Sequence, residues 1–321
     1  MKLARDFVQR LENLRNALEN EINREYAKTA EREHAPAIVE SQTPEIAIIK
    51  TKMQINPGEL IGDWIYGEKP KPLGFVVKEL RRRFGERIYV LNKSSIGSVD
   101  LEEEFEIYKV GFAYLLEKRL EVLNRAEDIL SRFEFAEPTD ERLNLDYRSS
   151  LDEHERRAVD SACSLEKGEI LMVMGPPGTG KTEFISVASR ILGKHEKVFV
   201  TAHTHQSVDN ALERLPKDVD YALRIGPLTR ISENVVRFSP EHKYVETVPL
   251  NLGYDELAEA YTEAFRKVRR ERNDILYRDH FLVGSTAARS ITNPLRNLRF
   301  STTFIDESHN LCISTALLVL D

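Results

Sequence analysis

Residues 175–182 read Gly175-Pro176-Pro177-Gly178-Thr179-Gly180-Lys181-Thr182, and this stretch decides the fold. It matches G-x-x-x-x-G-K-[ST], the Walker A pattern or P-loop. Glycines at these positions let the backbone wrap a phosphate, so that successive N–H groups and the start of the next helix point at it. All eight residues are therefore candidates for nucleotide binding. Lys181 is placed to neutralise the β- and γ-phosphates of ATP, and Thr182 to offer its hydroxyl to Mg2+. The flanks fit: the apolar run Ile170–Met174 predicts a buried strand before the loop, and an apolar-periodic helix begins near Glu183.

A P-loop needs a second metal ligand on a neighbouring strand. Phe304-Ile305-Asp306-Glu307 supplies one, two apolar residues running into paired carboxylates. Asp306 is the candidate Mg2+ ligand, and Glu307 the candidate that activates the attacking water. From Leu151 onward, the short apolar runs Ile170–Met174, Val198–Thr201, Ala222–Ile225, Phe281–Val283 and Thr302–Ile305 alternate with helical or loop stretches. That alternation predicts a mostly parallel α/β sheet with helices on both faces. The 125 positions between Lys181 and Asp306 leave room for an insertion, and residues 254–279 read as helical, ending in the basic cluster Arg266, Lys267, Arg269, Arg270 and Arg272.

The N-terminal part has a different period. Phe7, Leu11, Leu14, Leu18 and Ile22 recur every three or four residues and predict one long helix over residues 1–35. Phe112, Leu116, Leu120, Leu123, Ala126 and Leu130 form a second stripe, within 106–135. Two such helices suggest an antiparallel stalk. Between them, over 36–105, the β-prone runs Ile46–Ile49, Leu60-Ile61, Gly74–Val77 and Ile88–Leu91 are punctuated by Asn56-Pro57-Gly58 and by Lys69–Gly74, which reads as a small barrel. Lys69–Lys93 holds eight basic residues against two acidic ones, either a solvated hairpin surface or a nucleic-acid contact.

The loop Val200-Thr201-Ala202-His203-Thr204-His205-Gln206-Ser207-Val208-Asp209-Asn210 runs from a strand into a helix. It can offer hydroxyls and helix-start N–H groups to a phosphate backbone. Alternatively, it is a helix cap, with Thr204 or Ser207 as the capping residue. Here the chain resembles the superfamily 1 helicases, in the 5′-to-3′ branch that contains the nonsense-mediated mRNA decay helicase and the immunoglobulin mu-binding helicase. The matching text is LDEHERRAV at 151–159, GPPGTGKT at 175–182, VTAHTHQSVDNALERL at 200–215, LRIGPLTR at 223–230, VGSTAARS at 283–290 and FIDESHN at 304–310.

The resemblance implies a first RecA-like P-loop domain over 136–321, with an insertion at about 228–280, preceded by a stalk carrying a barrel. It implies nucleic-acid contacts at Thr201, Thr204 and Thr286, and single-stranded DNA or RNA as partner. Glu155 falls where the family reads adenine with a glutamine. A carboxylate can only accept hydrogen bonds, so the base preference is open. The chain stops at Asp321, fifteen residues past Asp306, before the family's Gly-Asp-x-x-Gln motif and second RecA-like domain with its arginine fingers. On this reading the chain is an N-terminal portion with weak turnover of its own, needing that second domain in trans or from a missing C-terminal part. Two alternatives are a nucleotide-binding subunit of a split or truncated product, and a P-loop ATPase acting on protein.

Composition narrows the classes. The net charge of −7, from 46 basic and 53 acidic residues, argues against a surface that is basic all over, though not against one basic groove. Two cysteines, Cys163 and Cys312, give no disulfide scaffold and no thiolate zinc site. The start, MKLARDFVQRLENLR, is charged where a signal peptide is apolar. No run approaches the roughly 18–20 apolar residues of a membrane span. These features predict a cytoplasmic protein, or a nuclear one in a eukaryote.

Overall fold

The computed structural model describes residues 2–29, 34–63, 71–83, 85–94, 100–110, 113–148, 151–292 and 294–321. Helix α1 (Lys2–Thr29) opens the chain and, at 28 residues, is about 42 Å long. Six strands follow: β1 (His34–Gln42), β2 (Ile46–Thr51), β3 (Leu60–Asp63), β4 (Lys71–Arg83), β5 (Glu86–Asn92) and β6 (Glu104–Lys109). They close into an antiparallel barrel in the order β1-β2-β5-β4-β3-β6, with β6 returning to β1. Closure leaves no free sheet edge. The chain then turns back through α2 (Ala113–Asn124) and α3 (Ala126–Leu130).

Helices α1 and α2 run antiparallel: Arg15 donates to Leu123 O (3.1 Å) and Tyr26 to Glu117 Oε1 (2.5 Å). Leu11, Leu18 and Ile22 are buried in one cluster with Leu116, Leu123 and Ala126. Phe7 and Leu14, expected in the same stripe, stay exposed. Leu14 lies between the buried Leu11 and Leu18, so it stands at the edge of the stripe rather than beyond the reach of α2. Phe112 lies outside the described residues. Two elements the sequence reading left out of the barrel, β1 and β6, complete it, and β6 occupies the start of the stretch expected as the second stalk helix.

The continuous apolar run of β2 has a physical cause: both its faces are covered. Ala47 and Ile49 point into the barrel with Tyr89, Leu91 and Ile107. Ile46 and Ile48 point outward, onto α7 (Pro240–Val245) and α8 (Tyr254–Leu276), where they meet Val245, Leu257 and Tyr261. Polar contacts fix the same docking: Thr43 and Thr262 share a hydroxyl hydrogen bond (2.7 Å), and Arg269 pairs with Glu45. Gly58, at φ +90, lies so close to the loop around residue 227 that a Cβ would sit 2.8 Å from Pro227. The insertion is therefore the shelf on which the barrel rests.

This packing consumes much of the basic run. Lys78 pairs with Glu246 (2.7 Å), Arg87 with Glu79 (2.9 Å), and Lys93 is wholly buried, donating to Gln42 Oε1 (3.0 Å). Burial pushes the Lys93 ammonium below its ordinary range. In the α8 cluster, Arg272 pairs with Glu241 (3.3 Å). A charge count along the chain does not show these pairings, since the acids that match Lys78 and Arg272 lie elsewhere in sequence.

In the α/β part, β7 (Glu134–Phe135) pairs in parallel with β8 (Glu169–Ile170), and α4 (Glu153–Cys163) lies between them in sequence. Then follow α5 (Lys181–Leu192), β9 (Lys197–Ala202), α6 (His205–Glu213), β10 (Ala222–Arg224), β11 (Phe281–Thr286), β12 (Thr302–Asp306) and α9 (Ile313–Leu320). The main sheet is parallel, in the order β10-β11-β9-β12. Val198, Val200, Leu282 and Phe304 face α5 and α6; Phe199, Leu223 and Val283 form a second core on the opposite face. One expectation is corrected. The run Ile170–Met174 is not a buried strand of this sheet: only its first residue lies in β8, and Met172 and Met174 are 64% and 84% exposed. Leu171 and Val173 pack inward while the alternate side chains face out, and no ladder partner flanks residues 171–174. No described helix is long and apolar enough to cross a membrane.

The start of α6 is pinned by a buried charge pair. Arg224, fully buried at the end of β10, donates through Nε to Asp209 Oδ1 and through Nη1 to Ile225 O (2.7 Å). Asp209 Oδ2 accepts from Ser232 N (2.8 Å). Burial, with the Arg224 charge beside it, pushes His205 down to about 4. Its neutral Nδ1 can therefore accept from Arg224 Nη2 at 3.1 Å. Replacing Arg224 by Met strands the Asp209 charge and should cost about 3–5 kcal/mol. Adding Asp209→Leu should restore most of that loss. Urea unfolding of both variants measures it, and equal losses would show that charge pairing is not what holds α6.

Candidate functional site

The P-loop connects the exposed 171–174 segment to α5, and residues 175–179 are exposed. Gly180 caps α5 in the left-handed region (φ 74°, ψ 10°), where glycine carries no Cβ penalty. A Cβ there would also collide with the Glu155 carboxylate. Thr179 Oγ1 donates to Pro176 O (2.8 Å), tightening the turn. Lys181 Nζ bends back onto its own loop, donating to Gly175 O (2.6 Å) and Pro176 O (2.7 Å). Thr182 follows in the first turn of α5.

Glu155, expected at the base-reading position, is engaged locally. Its Oε2 accepts from Asp152 N (2.7 Å), while Asp152 Oδ1 accepts from Glu155 N (2.8 Å), a capping box that starts α4. The carboxylate thus lies over Gly180, at the mouth of the P-loop.

Asp306 ends β12 beside Ala202 of β9, on the sheet face that carries Phe304 and looks toward α5. Burial raises the Asp306 carboxyl above its usual range, and the adjacent Glu307 charge adds to the rise. The hydrogen bond from Glu307 N (2.9 Å) and the charges of Lys181 and Arg214 oppose it. Arg214, at the end of α6, pairs with Glu183 of α5 (3.2 Å). Glu307 has a left-handed backbone (φ 49°, ψ 41°), uncommon for a residue with a side chain. Its Oε2 accepts from Ser207 Oγ (3.0 Å) and more weakly from Asn310 Nδ2 (3.4 Å).

The parallel sheet therefore brings the P-loop, Asp306 and Glu307 to one end of its strands. Of the three threonines expected on a nucleic-acid path, Thr204 is exposed and caps α6, its Oγ1 accepting from Ser207 N (3.1 Å). Thr201 and Thr286 are buried, and the Thr201 hydroxyl has no hydrogen-bond partner. Thr201 sits on the sheet face of Phe199, away from α5. Sequence reasoning missed the hydroxyl of Ser207 as a partner of Glu307, and also Arg214. Both contacts span long stretches of chain, and no local pattern reports them.

Among the described residues no group of three or more His, Cys, Asp or Glu side chains could hold a metal. Mg2+ of the kind found with nucleotides takes one or two protein ligands together with substrate phosphates and water. Thr182 and Asp306 are the side chains that could hold it.

Geometry and motif together define a P-loop nucleotide-binding α/β unit joined to a stalked barrel. Residues 150–252 match the family model of an AAA domain. Over 134 residues the chain is 28% identical to an uncharacterized ATP-dependent helicase of Methanocaldococcus jannaschii, covering 40% of this chain and 19% of that protein. It is 34% identical over 94 residues to the DNA-binding protein SMUBP-2 of Rattus norvegicus, covering 29% and 9%. It is 27% identical over 100 residues to the DNA replication ATP-dependent helicase/nuclease DNA2 of Saccharomyces cerevisiae, covering 31% and 6%. These matches identify the P-loop region as superfamily 1 helicase-type, and the matched stretch spans under a fifth of each relative's length.

The raised Asp306 carboxyl sets a pH dependence. A carboxyl whose affinity for protons is raised takes one up as pH falls sooner than an ordinary aspartate does, and a protonated carboxyl is a poor metal ligand. Mg2+-dependent nucleotide affinity should therefore decline as pH falls from neutral, over an interval that lies above the usual aspartate range near 3.9. In Asp306→Asn the affinity should be weaker and flat over that interval. Calorimetric titration at several pH values checks both.

Proposed function

We propose that the chain is the ATP-binding, nucleic-acid-contacting part of a helicase-type ATPase that moves along single-stranded DNA or RNA. The observation that carries this reading is the convergence of three features at one end of a parallel sheet. They are the P-loop at the head of α5, the Asp306-Glu307 pair at the end of β12, and the exposed start of α6 at Thr204. The relatives named helicase or DNA-binding protein support it.

In this reading the backbone of 175–180 cradles the phosphates, and Lys181 leaves its loop carbonyls to bind the β- and γ-phosphates. Thr182 and Asp306 hold Mg2+, which supplies charge neutralisation when bound. Glu307 orients and deprotonates the attacking water. Thr204 and the first N–H groups of α6 take a phosphate of the strand, a contact that needs no base readout. A second RecA-like domain, from this protein or another chain, forms the opposite wall of the nucleotide cleft and raises turnover.

Two titrations test the proposal. The chain should bind Mg-ATP, and Lys181→Ala should weaken that binding about tenfold or more, as expected for loss of a charge-assisted contact. Oligo-dT or oligo-U should bind with an affinity that falls linearly in a log–log plot against salt. Nucleotide binding indifferent to Lys181, or salt-insensitive oligonucleotide binding, would overturn it.

A further inference from the structure

Thr204, Ser207 and Glu307 form one directed chain of hydrogen bonds. Ser207 N–H donates to Thr204 Oγ1 (3.1 Å), the two hydroxyls lie 2.7 Å apart, and Ser207 Oγ donates to Glu307 Oε2 (3.0 Å). Counting protons settles the direction. An ionised carboxylate only accepts, so the single Ser207 hydroxyl proton goes to Glu307. The 2.7 Å contact must then use the Thr204 proton, donated to Ser207 Oγ. Both hydroxyl protons at the start of α6 are thus committed inward, toward the carboxylate 100 residues away. One end of the chain is exposed at Thr204; the other is a buried serine against a glutamate whose backbone already sits in the left-handed region.

We infer that Ser207 is a positioning residue that couples the nucleic-acid loop to Glu307: a backbone phosphate at the start of α6 competes for the Thr204 and Ser207 hydroxyls and releases the Glu307 carboxylate. The physical basis is exclusivity. A phosphate oxygen is an acceptor, as the carboxylate is, and each hydroxyl has one proton to give. Taking the Thr204 proton also weakens the Ser207 donation, because each bond in such a chain polarises the next. Freed from Ser207, Glu307 retains only the longer contact from Asn310. Its charge can then turn toward Asp306 and the nucleotide end of the P-loop. The inference rests on the proposed function, since it requires both ligands to bind where that reading puts them.

The test is a linkage measurement on the full chain. AMP-PNP affinity with Mg2+ is measured without and with saturating oligo-dT of about 15 nucleotides, a length ample for one single-strand site. Released next to the γ-phosphate, the carboxylate repels it. Oligo-dT should therefore weaken AMP-PNP binding by about fivefold in the wild-type chain, at the low end of ordinary coupling between sites. In Ser207→Ala the carboxylate is already free. That variant without oligo-dT should bind AMP-PNP as weakly as wild type does with it, and should show no further change. Ser207→Thr keeps the hydroxyl and should restore the coupling. Glu307→Gln, without the charge, should bind AMP-PNP tightly in both conditions. Circular dichroism melts confirm that the variants fold. Both ligands binding without coupling, or coupling that persists in Ser207→Ala, would overturn the inference alone. Failure of the wild-type chain to bind either ligand would overturn the proposed function, and the inference with it.

Discussion

The start of α6, where Thr204 and Ser207 stand, depends on the buried pair between Arg224 and Asp209. A guanidinium and a carboxylate cannot be taken out of water unless each finds near-complete compensation. Here Arg224 is compensated by Asp209, by Ile225 O and by the neutral imidazole of His205, and Asp209 also by Ser232 N. These partners come from β10, its following loop and α6, so satisfying one charge fixes three segments together. Asp209 lies five residues past Thr204. The pair therefore sets where the helix begins, and with it the height at which Thr204 and Ser207 stand relative to β12.

The second constraint is the apolar outer face of the barrel. Ile46, Ile48 and Val90 would be a greasy patch on a free barrel; against Val245, Leu257 and Tyr261 they become a core. The insertion between β10 and β11 is thus not an ornament of the α/β unit but the surface that orients the barrel on it. Arg289, just past β11, extends the contact by stacking its guanidinium 4.7 Å from the Phe75 ring. Because the α8 bases pair with Glu45 and Glu241, the positive charge of this region serves assembly before it serves any ligand.

How much of this was legible in the chain follows from range. The P-loop, the Asp306-Glu307 pair and the runs of β9, β11 and β12 were readable because each is a local pattern with a local cause: glycines for a phosphate turn, unbroken apolar residues for a strand covered on both faces. The barrel's middle strands and the stalk stripe were readable for the same reason. Strands β1 and β6 escaped because they mix polar and apolar residues, as in His34-Ala35-Pro36-Ala37 and Glu104-Phe105-Glu106, and owe their form to each other's ladder. The segment 171–174 was misread as buried because apolar content alone does not tell whether a neighbour strand exists. Thr201 and Thr286 were expected along a nucleic-acid path from the resemblance alone, and their burial in β9 and β11 is a property of the sheet that no local pattern reports. Ser207 was legible only as a capping candidate; its contact with Glu307 left no local signal, since the two are 100 residues apart.

The charges at the site are satisfied in a way that prepares them for exchange. Lys181 is held by two neutral carbonyls of its own loop, and Arg214 by Glu183. Asp306 accepts from a backbone N–H, and Glu307 from Ser207 and Asn310. Among the described residues no cation of the P-loop end is paired with an acid of the β12 end, although the charges of Lys181 and Arg214 lower the Asp306 carboxyl against the burial that raises it. Lys181 and Asp306 therefore rest on neutral dipoles, contacts worth less than a direct bond between charges. In the proposed function a magnesium polyphosphate brings both signs of charge, one for Lys181 and one for Asp306. It can replace the weak contacts of Lys181 and Asp306 in one event, at no cost in broken ion pairs between them. Glu307 alone keeps a partner that a nucleotide does not touch, and that partner leads to the surface at Thr204.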